Sequence, residues 1–223
     1  MGIEEVLSEV EIRVLGCLLE KEATTPENYP LTLNSLTAAC NQKSNRNPVM
    51  CIGDSTVLRM VTDLGDRGLC GKHHSAGSRV VKYGHHLVHI GKFSVEEIAI
   101  LAVLMLRGPQ TVGELKGRTG RYCEFSDLAQ VEAILESLVA REAGALVVKL
   151  PRQSGRKEPR YAHLLGGPYE CVEEPDDDSM SKATVQVQAE NARIASLEEQ
   201  VESLKSQVAD LQATFETFRS QFD

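Results

Sequence analysis

Apolar residues recur at helical spacing in two stretches of the chain that begin in the same way. In the first stretch, Ser8 and Glu11 are spaced as a capping box, and Leu7 and Ile12 are spaced as a hydrophobic staple, so a helix is predicted to begin after Ser8. The same four positions recur 86 residues later as Phe93, Ser94, Glu97 and Ile98. The repeated start signals indicate that one structural unit is present twice.

Each predicted first helix is followed by the same series of elements. In unit one the pattern predicts a short helix over 31–41, a polar loop, a second helix over 54–67 and a β-hairpin over 69–87. The hairpin strands are predicted at 69–72 with 80–83 in unit one, and at 145–150 with 160–165 in unit two. This order is typical of a winged helix-turn-helix, whose second helix usually enters the DNA major groove.

The third helix of each unit carries an apolar stripe that is expected to face the core. In unit one the predicted stripe consists of Val57, Leu58, Val61 and Leu64. In unit two it consists of Leu128, Val131, Leu135, Leu138 and Val139. Gly68 follows the first of these helices at a C-cap position.

A different pattern occupies the end of the chain, where an acidic linker precedes a heptad repeat. The a and d positions of the repeat are Ile194, Leu197, Val201, Leu204, Val208, Leu211, Phe215 and Phe218. β-Branched residues at a with Leu at d favour parallel dimers, so we expect a homodimer. An alternative is that this helix folds back onto its own domains.

The predicted fold class is therefore mainly α with small β-hairpins (α+β). Its architecture is two tandem winged helix-turn-helix domains and a C-terminal coiled-coil helix. The expected boundaries are 1–90 for domain 1, 91–170 for domain 2, 171–182 for the acidic linker and 183–221 for the coiled-coil helix.

The net charge of the chain is informative only when it is counted separately for each predicted segment. The net charge of −8 arises in residues 171–223, which carry 4 basic and 12 acidic side chains, whereas residues 1–90 and 91–170 are close to neutral. The two units therefore lack both a strong negative charge that would repel DNA and the basic field of a typical DNA-binding domain. No apolar run is long enough for a membrane helix, and the six cysteines form no CxxC pair, so we expect a cytoplasmic protein.

Candidate DNA contacts lie in two segments of unit one and at its hairpin tip. Lys43, Asn45 and Arg46 precede the predicted recognition helix, where a winged helix meets the DNA backbone. The full candidate set is Lys43, Asn45, Arg46, Ser55, Thr56, Arg59 and Arg79, with Arg59 as the expected base reader. The alternatives are a solvated helix face and a rigid turn at 45–48.

The third helix of unit two carries Asp127, Glu132, Glu136 and Glu142 against Arg141 alone. An acidic helix repels phosphates, so unit two is expected to hold a protein partner or its twin instead. An alternative is that its wing, which carries Arg152, Arg156, Lys157 and Arg160, contacts phosphates, although charge at a wing tip more often serves solubility.

Catalytic and metal-binding interpretations find little support in the residue pattern. Two hairpin strands are able to bring Cys70, His74 and His85 together, but their spacing matches no familiar site. The chain contains no nucleophile elbow, P-loop, glycine fingerprint or HExxH motif. We expect no enzyme, no metal site and no cofactor.

The run LSEVEIRVLGCLLEKEATTPENYPLTLNSLTAACNQKSNRNPVM resembles the YceH-type family of bacterial proteins of unknown function. The resemblance covers about the first 170 residues, and its most specific segments are ENYPLTLN and NQKSNRNP. It implies tandem winged-helix domains in a bacterial cytoplasmic protein, and it implies no activity. Two hypotheses remain: a DNA-binding regulator-like protein that acts through domain 1 and dimerises, and a non-catalytic adaptor for protein partners.

Overall fold

A computed structural model describes residues 6–74, 80–87, 93–152 and 158–169. In unit one, the helices α1 (Glu9–Thr24), α2 (Leu33–Cys40) and α3 (Asp54–Asp66) are accompanied by strands β1 (Leu31–Thr32), β2 (Cys70–His73) and β3 (Lys82–His85). In unit two, the helices α4 (Val95–Arg107), α5 (Val112–Thr119) and α6 (Leu128–Val139) precede strands β4 (Val147–Lys149) and β5 (Tyr161–His163). The described chain therefore has mixed α and β structure.

Both predicted capping boxes are present. The backbone N–H of Ser8 donates to a carboxylate oxygen of Glu11 at 2.8 Å, and the backbone N–H of Glu11 donates to Oγ of Ser8 at 3.3 Å. Ser94 and Glu97 form the same reciprocal pair at 2.9 and 3.2 Å. Because each box satisfies two N–H groups that a helix leaves unbonded, it fixes where α1 and α4 begin.

The sheets of the two units have similar arrangements. In unit one the strand order is β1-β3-β2 and all pairings are antiparallel, with Leu31 opposite Tyr83. In unit two β4 pairs with β5, and Gln110 forms an isolated antiparallel bridge to Tyr161. Gln110 and Tyr161 thus occupy the places of Leu31 and Tyr83, because each pair joins the segment before the second helix to the last strand.

The first hairpin begins one residue later than the sequence pattern predicts. Gly68 adopts the left-handed conformation (φ +75°), and the backbone N–H of Leu69 still donates to the carbonyl of Leu64 at 2.8 Å. The N–H of Leu69 is therefore used to close α3, while its carbonyl accepts a hydrogen bond across the hairpin from the backbone N–H of His86 at 2.8 Å. Pairing starts at Cys70, whose partner is His85, so β3 extends two residues beyond the predicted end at 83.

Three predicted core positions face solvent instead. Leu58, Leu128 and Val139 are 39%, 49% and 39% exposed, whereas the other members of the two third-helix stripes are buried. The buried positions Val57, Val61 and Leu64 already occupy the inward face of α3. Since residues 57 and 58 point about 100° apart on a helix, only one of them can face the core centrally.

One hydrophobic core runs through both units. All described residues fall within one compact body, residues 1–171, and α1 packs against α4 with Gly16 close to Met105 and Leu106. The backbone N–H of Leu7 also donates to the carbonyl of Leu165 at 2.8 Å. The start of unit one is thereby joined to the end of unit two.

Candidate nucleic-acid interface

The exposed side of α3 carries two of the predicted DNA contacts. Ser55 and Arg59 are both exposed and stand four residues apart, which places them one turn apart on the same side of the helix. Thr56 is half-buried beside them. We call Ser55, Leu58, Arg59 and Thr62 the α3 face, although the hydroxyl of Thr62 is already used, donating to the carbonyl of Leu58 at 2.7 Å.

Acidic side chains outnumber basic ones around the α3 face. Asp54 and Asp66 are exposed at the two ends of the helix, and Asp63 is half-buried. Arg59 is the basic side chain within α3. A single cation among three carboxylates attracts a phosphate backbone at most weakly, and because few phosphates are neutralised, any DNA contact here has a shallow salt dependence.

The start of α3 is positioned by the loop before it. The side chain of Asn41 accepts a hydrogen bond from the backbone N–H of Ile52 at 2.7 Å and donates to the carbonyl of the same residue at 2.8 Å. This pair of bonds closes residues 41–52 into one structure. Gly53 then stands at the N-cap of α3 without a side-chain cap, which leaves the first turn of the helix accessible.

Within this loop, Lys43 is exposed and Arg46 is buried. The guanidinium of Arg46 contacts the carboxylate of Glu20 at 2.5 and 3.2 Å, and it also donates to the carbonyl of Ala39 at 3.1 Å and to the side chain of Gln42 at 2.9 Å. Arg46 is 6% exposed. The prediction that it contacts the DNA backbone is therefore wrong, because its donors are used inside the protein.

Asn45 also takes part in internal structure. It adopts a left-handed conformation (φ +61°), and its side-chain carbonyl accepts a hydrogen bond from the guanidinium of Arg107 on α4. The next residues continue the connection, since the backbone N–H of Asn47 donates to the carbonyl of Leu106 at 2.8 Å. The loop that the sequence suggested for phosphate binding thus joins unit one to unit two.

Arg13, which is not among the predicted contacts, holds the same loop against α1 by a hydrogen bond. It is almost fully buried in α1 and donates to the carbonyl of Pro48 at 2.6 Å. Two further nitrogens of this guanidinium, Nε and Nη1, are buried without a protein partner. Burial lowers the pKa of Arg13. One feature of the sequence points to these internal roles: Arg13 and Glu20 interrupt the apolar pattern of α1. In the structure this helix is buried on nearly every side, so both charged side chains lie inside the protein.

The hairpin of unit one brings Cys70 and His85 opposite each other, as a metal site there would require. Both ring nitrogens of His85 are engaged, with Nε2 2.6 Å from a carboxylate oxygen of Glu22 and Nδ1 accepting from the backbone N–H of Leu87 at 3.3 Å. Burial raises the pKa of the Cys70 thiol to about 12, which disfavours the thiolate that metal binding or nucleophilic attack needs. His74 is exposed, and no group of three or more His, Cys, Asp or Glu residues in the described parts of the chain is arranged to hold a metal ion.

In unit two the corresponding helix, α6, presents Leu128, Glu132 and Glu136 to solvent. Arg141 lies outside this set, with its guanidinium 4.2 Å from the ring of Phe93 and 3.8 Å from the carboxylate of Glu97. The exposed side of α6 is therefore acidic and partly apolar.

Two groups of predicted residues fall outside the described part of the chain. Arg79 at the hairpin tip is one, and the dimerisation positions Ile194 to Phe218 are the other. The structure therefore bears on Lys43, Asn45, Arg46, Ser55, Thr56 and Arg59 among the candidate DNA contacts. None of the described helices is long and apolar enough to cross a membrane.

The fold and the candidate surface define a mixed α+β protein with a repeated helix and hairpin unit. Residues 7–156 match a family model described as a protein of unknown function, DUF480. A UPF0502 protein of Vibrio atlanticus is 49% identical over 95% of this chain and 98% of its own length, and one of Geobacter metallireducens is 52% identical over 99% and 100%. A UPF0502 protein of Photobacterium profundum is 46% identical over 96% of this chain and 98% of its own length. The chain belongs to this bacterial family of unknown function. It is the YceH-type family, which the N-terminal part of the sequence resembles.

Proposed function

We propose that this protein is a non-catalytic, regulator-like DNA-binding protein of the bacterial cytoplasm. In this proposal both units are winged helices, and unit one contacts double-stranded DNA. The supporting observation is the exposed pair Ser55 and Arg59, one turn apart on the third helix of a unit whose elements run helix, strand, helix, helix, strand, strand. A helix at this position in a winged helix enters the major groove, where arginine pairs with guanine O6 and N7.

The charges define what kind of binding to expect. Lys43 and Lys72 are exposed, and with Arg79, which the sequence predicts at the hairpin tip, they give two or three candidate phosphate contacts. Since log K falls with log salt at a slope of about −0.9 per neutralised phosphate, we expect a slope of roughly −2 to −3. That is weak binding for one unit, so useful affinity requires two copies. The heptad at 194–218 is proposed to supply the second copy by parallel dimerisation.

Fluorescence anisotropy with a labelled duplex, repeated at several salt concentrations, tests this proposal. Wild-type protein should bind with the shallow slope given above, and Arg59→Ala should weaken binding to sequence-selected duplexes by about 1–3 kcal/mol. Arg152→Ala, which removes an exposed arginine from unit two, is the matched control and should leave binding unchanged. Absence of binding at low salt, or equal losses for both variants, would reject the proposal.

The α6 surface supports a second candidate function, a non-catalytic adaptor for a protein partner. Leu128 is 49% exposed and is followed on the same helix side by Glu132 and Glu136, a combination that suits a partner with apolar and basic groups. The two functions are separable in one experiment. Leu128→Lys should abolish a partner complex and leave DNA binding intact, whereas Arg59→Ala should do the reverse.

A further inference from the structure

A cleft rich in arginine lies where the two units meet. Its walls come from α1, the 41–52 loop, α4, α5 and the turn after α5. The polar lining residues are Glu20, Thr24, Asn45, Arg107, Arg118, Arg121 and Tyr122, and the apolar ones are Val103 and Leu106. We call this set the arginine cleft. Its empty volume is about 280 Å³, which includes the part open to solvent.

The cations in the arginine cleft outnumber the carboxylates that face them. Glu20 is the carboxylate in the lining, and it already contacts Arg46 at 2.5 Å and Lys21 at 3.6 Å. Arg118 is 3.4 Å from Glu114, but that carboxylate is shared with Arg160 at 3.9 Å. Neither carboxylate is therefore available to balance the remaining arginines.

Arg107 is partly buried in the cleft and bonds to a neutral group. Among the described residues its guanidinium bonds to the side-chain carbonyl of Asn45, a neutral group, and no carboxylate lies within ion-pair distance. It is partly buried, and both burial and the nearby Arg118 lower its pKa. Holding a charged guanidinium in such a place costs free energy unless an anion is supplied from outside.

Tyr122 adds a neutral donor to the same cleft. The turn after α5 fixes it, since its backbone N–H donates to the carbonyl of Thr119 at 2.7 Å. Burial raises the pKa of Tyr122, so its phenol remains protonated at neutral pH. Guanidinium forks with a phenolic hydroxyl are the donors that commonly bind phosphate oxygens.

From this arrangement we infer that the arginine cleft binds the phosphate group of a small phosphorylated molecule or free inorganic phosphate. The cleft is shallow and open to solvent, so a phosphate would lie at its mouth against the arginines and Tyr122 without being enclosed. The site is separate from the α3 face, and the inference does not depend on DNA binding. Because the lining comes from both units, a bound anion would also draw α1 and α5 together through shared contacts.

Phosphorus NMR of inorganic phosphate and of glycerol 3-phosphate, titrated with full-length protein at constant ionic strength, tests the inference. Broadening of both signals would indicate recognition of the phosphate group, and broadening of one alone would identify whether the free ion or the ester is bound. In either case Arg121→Gln should weaken binding at least about tenfold, since one charge-assisted contact is lost. Arg121 is exposed and has no role in the core, so this variant should keep the fold.

Arg152→Gln is the matched control, because it removes one exposed arginine of unit two outside the cleft. It should bind both phosphates as wild type does. Arg107→Lys supplies a second check, since it keeps the charge and removes the planar fork, and it should weaken binding more than Arg152→Gln does. No broadening with wild-type protein, or equal broadening with Arg121→Gln, would overturn the inference.

Discussion

The guanidinium of Arg46 contacts the carboxylate of Glu20 at 2.5 Å, and both side chains are almost completely removed from solvent. Arg46 belongs to the long loop of unit one, and Glu20 lies near the end of α1. Because the same guanidinium also bonds to Ala39 and Gln42, the pair connects α1, α2 and the loop. A segment that looks like a DNA-contacting loop in the sequence is thereby part of the protein interior.

Removing Arg46 should destabilise the protein severely. Arg46→Ala leaves Glu20 buried without its main partner, and such changes cost about 3–5 kcal/mol. Chemical denaturation of the variant measures this loss as a lower unfolding midpoint. Lys43→Ala changes an exposed cation of the same loop and should stay within about 0.5 kcal/mol of wild type. A stable Arg46→Ala protein with specifically weakened DNA binding would contradict the structural role assigned to this arginine.

The close approach of α1 and α4 should make Gly16 intolerant of larger side chains. A Cβ at this position would lie 3.1 Å from Leu106 and 3.2 Å from Met105. Gly16→Val should therefore lower the free energy of unfolding by about 1–3 kcal/mol through overpacking. Gly117 lies within α5, and a Cβ added there would meet no neighbouring atom within 4 Å, so Gly117→Ala should raise stability by about 0.5–1 kcal/mol. Thermal unfolding of the two variants distinguishes these opposite effects.

Stability should fall with acid in a range set partly by His163. Burial lowers its pKa to about 4, below the ordinary value of 6.5, and its Nδ1 is buried without a protein partner. Between pH 6.5 and 4 the unfolded chain binds a proton at this residue that the folded protein does not. The free energy of unfolding therefore decreases as pH falls through this range, by at most about 1.4 kcal/mol per pH unit, and levels off below it.

His163→Phe should remove this contribution and flatten the acid limb of the stability curve. Denaturant titrations at a series of pH values measure the slope for each protein. His74→Gln, a change at an exposed imidazole, should leave the slope of wild type unaltered. Identical acid limbs for His163→Phe and wild type would show that His163 protonates equally in both states.

The heptad at the end of the chain predicts a dimer. Leu204 occupies a d position in the repeat, and a charge there would be forced into the predicted seam. Leu204→Glu should convert the full-length protein from dimer to monomer in light scattering. Ser206→Glu places the same charge at an outward f position and should remain dimeric. A monomeric wild-type protein would instead favour the alternative in which the helix folds back.

Local signals predict the frame of the fold well. The Ser8 and Ser94 capping boxes and the glycine after α3 depend on neighbours in sequence, and they appear as expected. The helix predicted over 31–41 is wrong at its start, because Leu31 and Thr32 form strand β1 opposite Tyr83 and Lys82, which are distant in sequence. The apolar stripe of a helix predicts burial less well for residues at the edge of the stripe. Leu58 and Leu128 fit the helical period, but their helices already have enough inward residues, so these two leucines point outward.

The roles of charged residues are harder to predict because they depend on distant partners. Arg46 and Glu20 are separated by 26 residues, and Asn45 and Arg107 by 62. Nothing near Arg46 in the sequence identifies Glu20 as its partner. The arginine cleft is hidden in the sequence for the same reason, since Arg107, Arg118 and Arg121 meet Asn45 and Glu20 only once the two units are packed together.

Chemical-shift mapping of the full-length protein with a short DNA duplex tests the central proposal most directly, because it identifies the contacting residues. We expect amide signals of Ser55, Thr56 and Arg59, together with that of Lys43, to shift on titration and to return at high salt. Signals from the exposed side of α6, including Glu132, should remain in place. Unshifted α3 signals at low salt, or shifts confined to unit two, would contradict the proposal that unit one contacts DNA through α3.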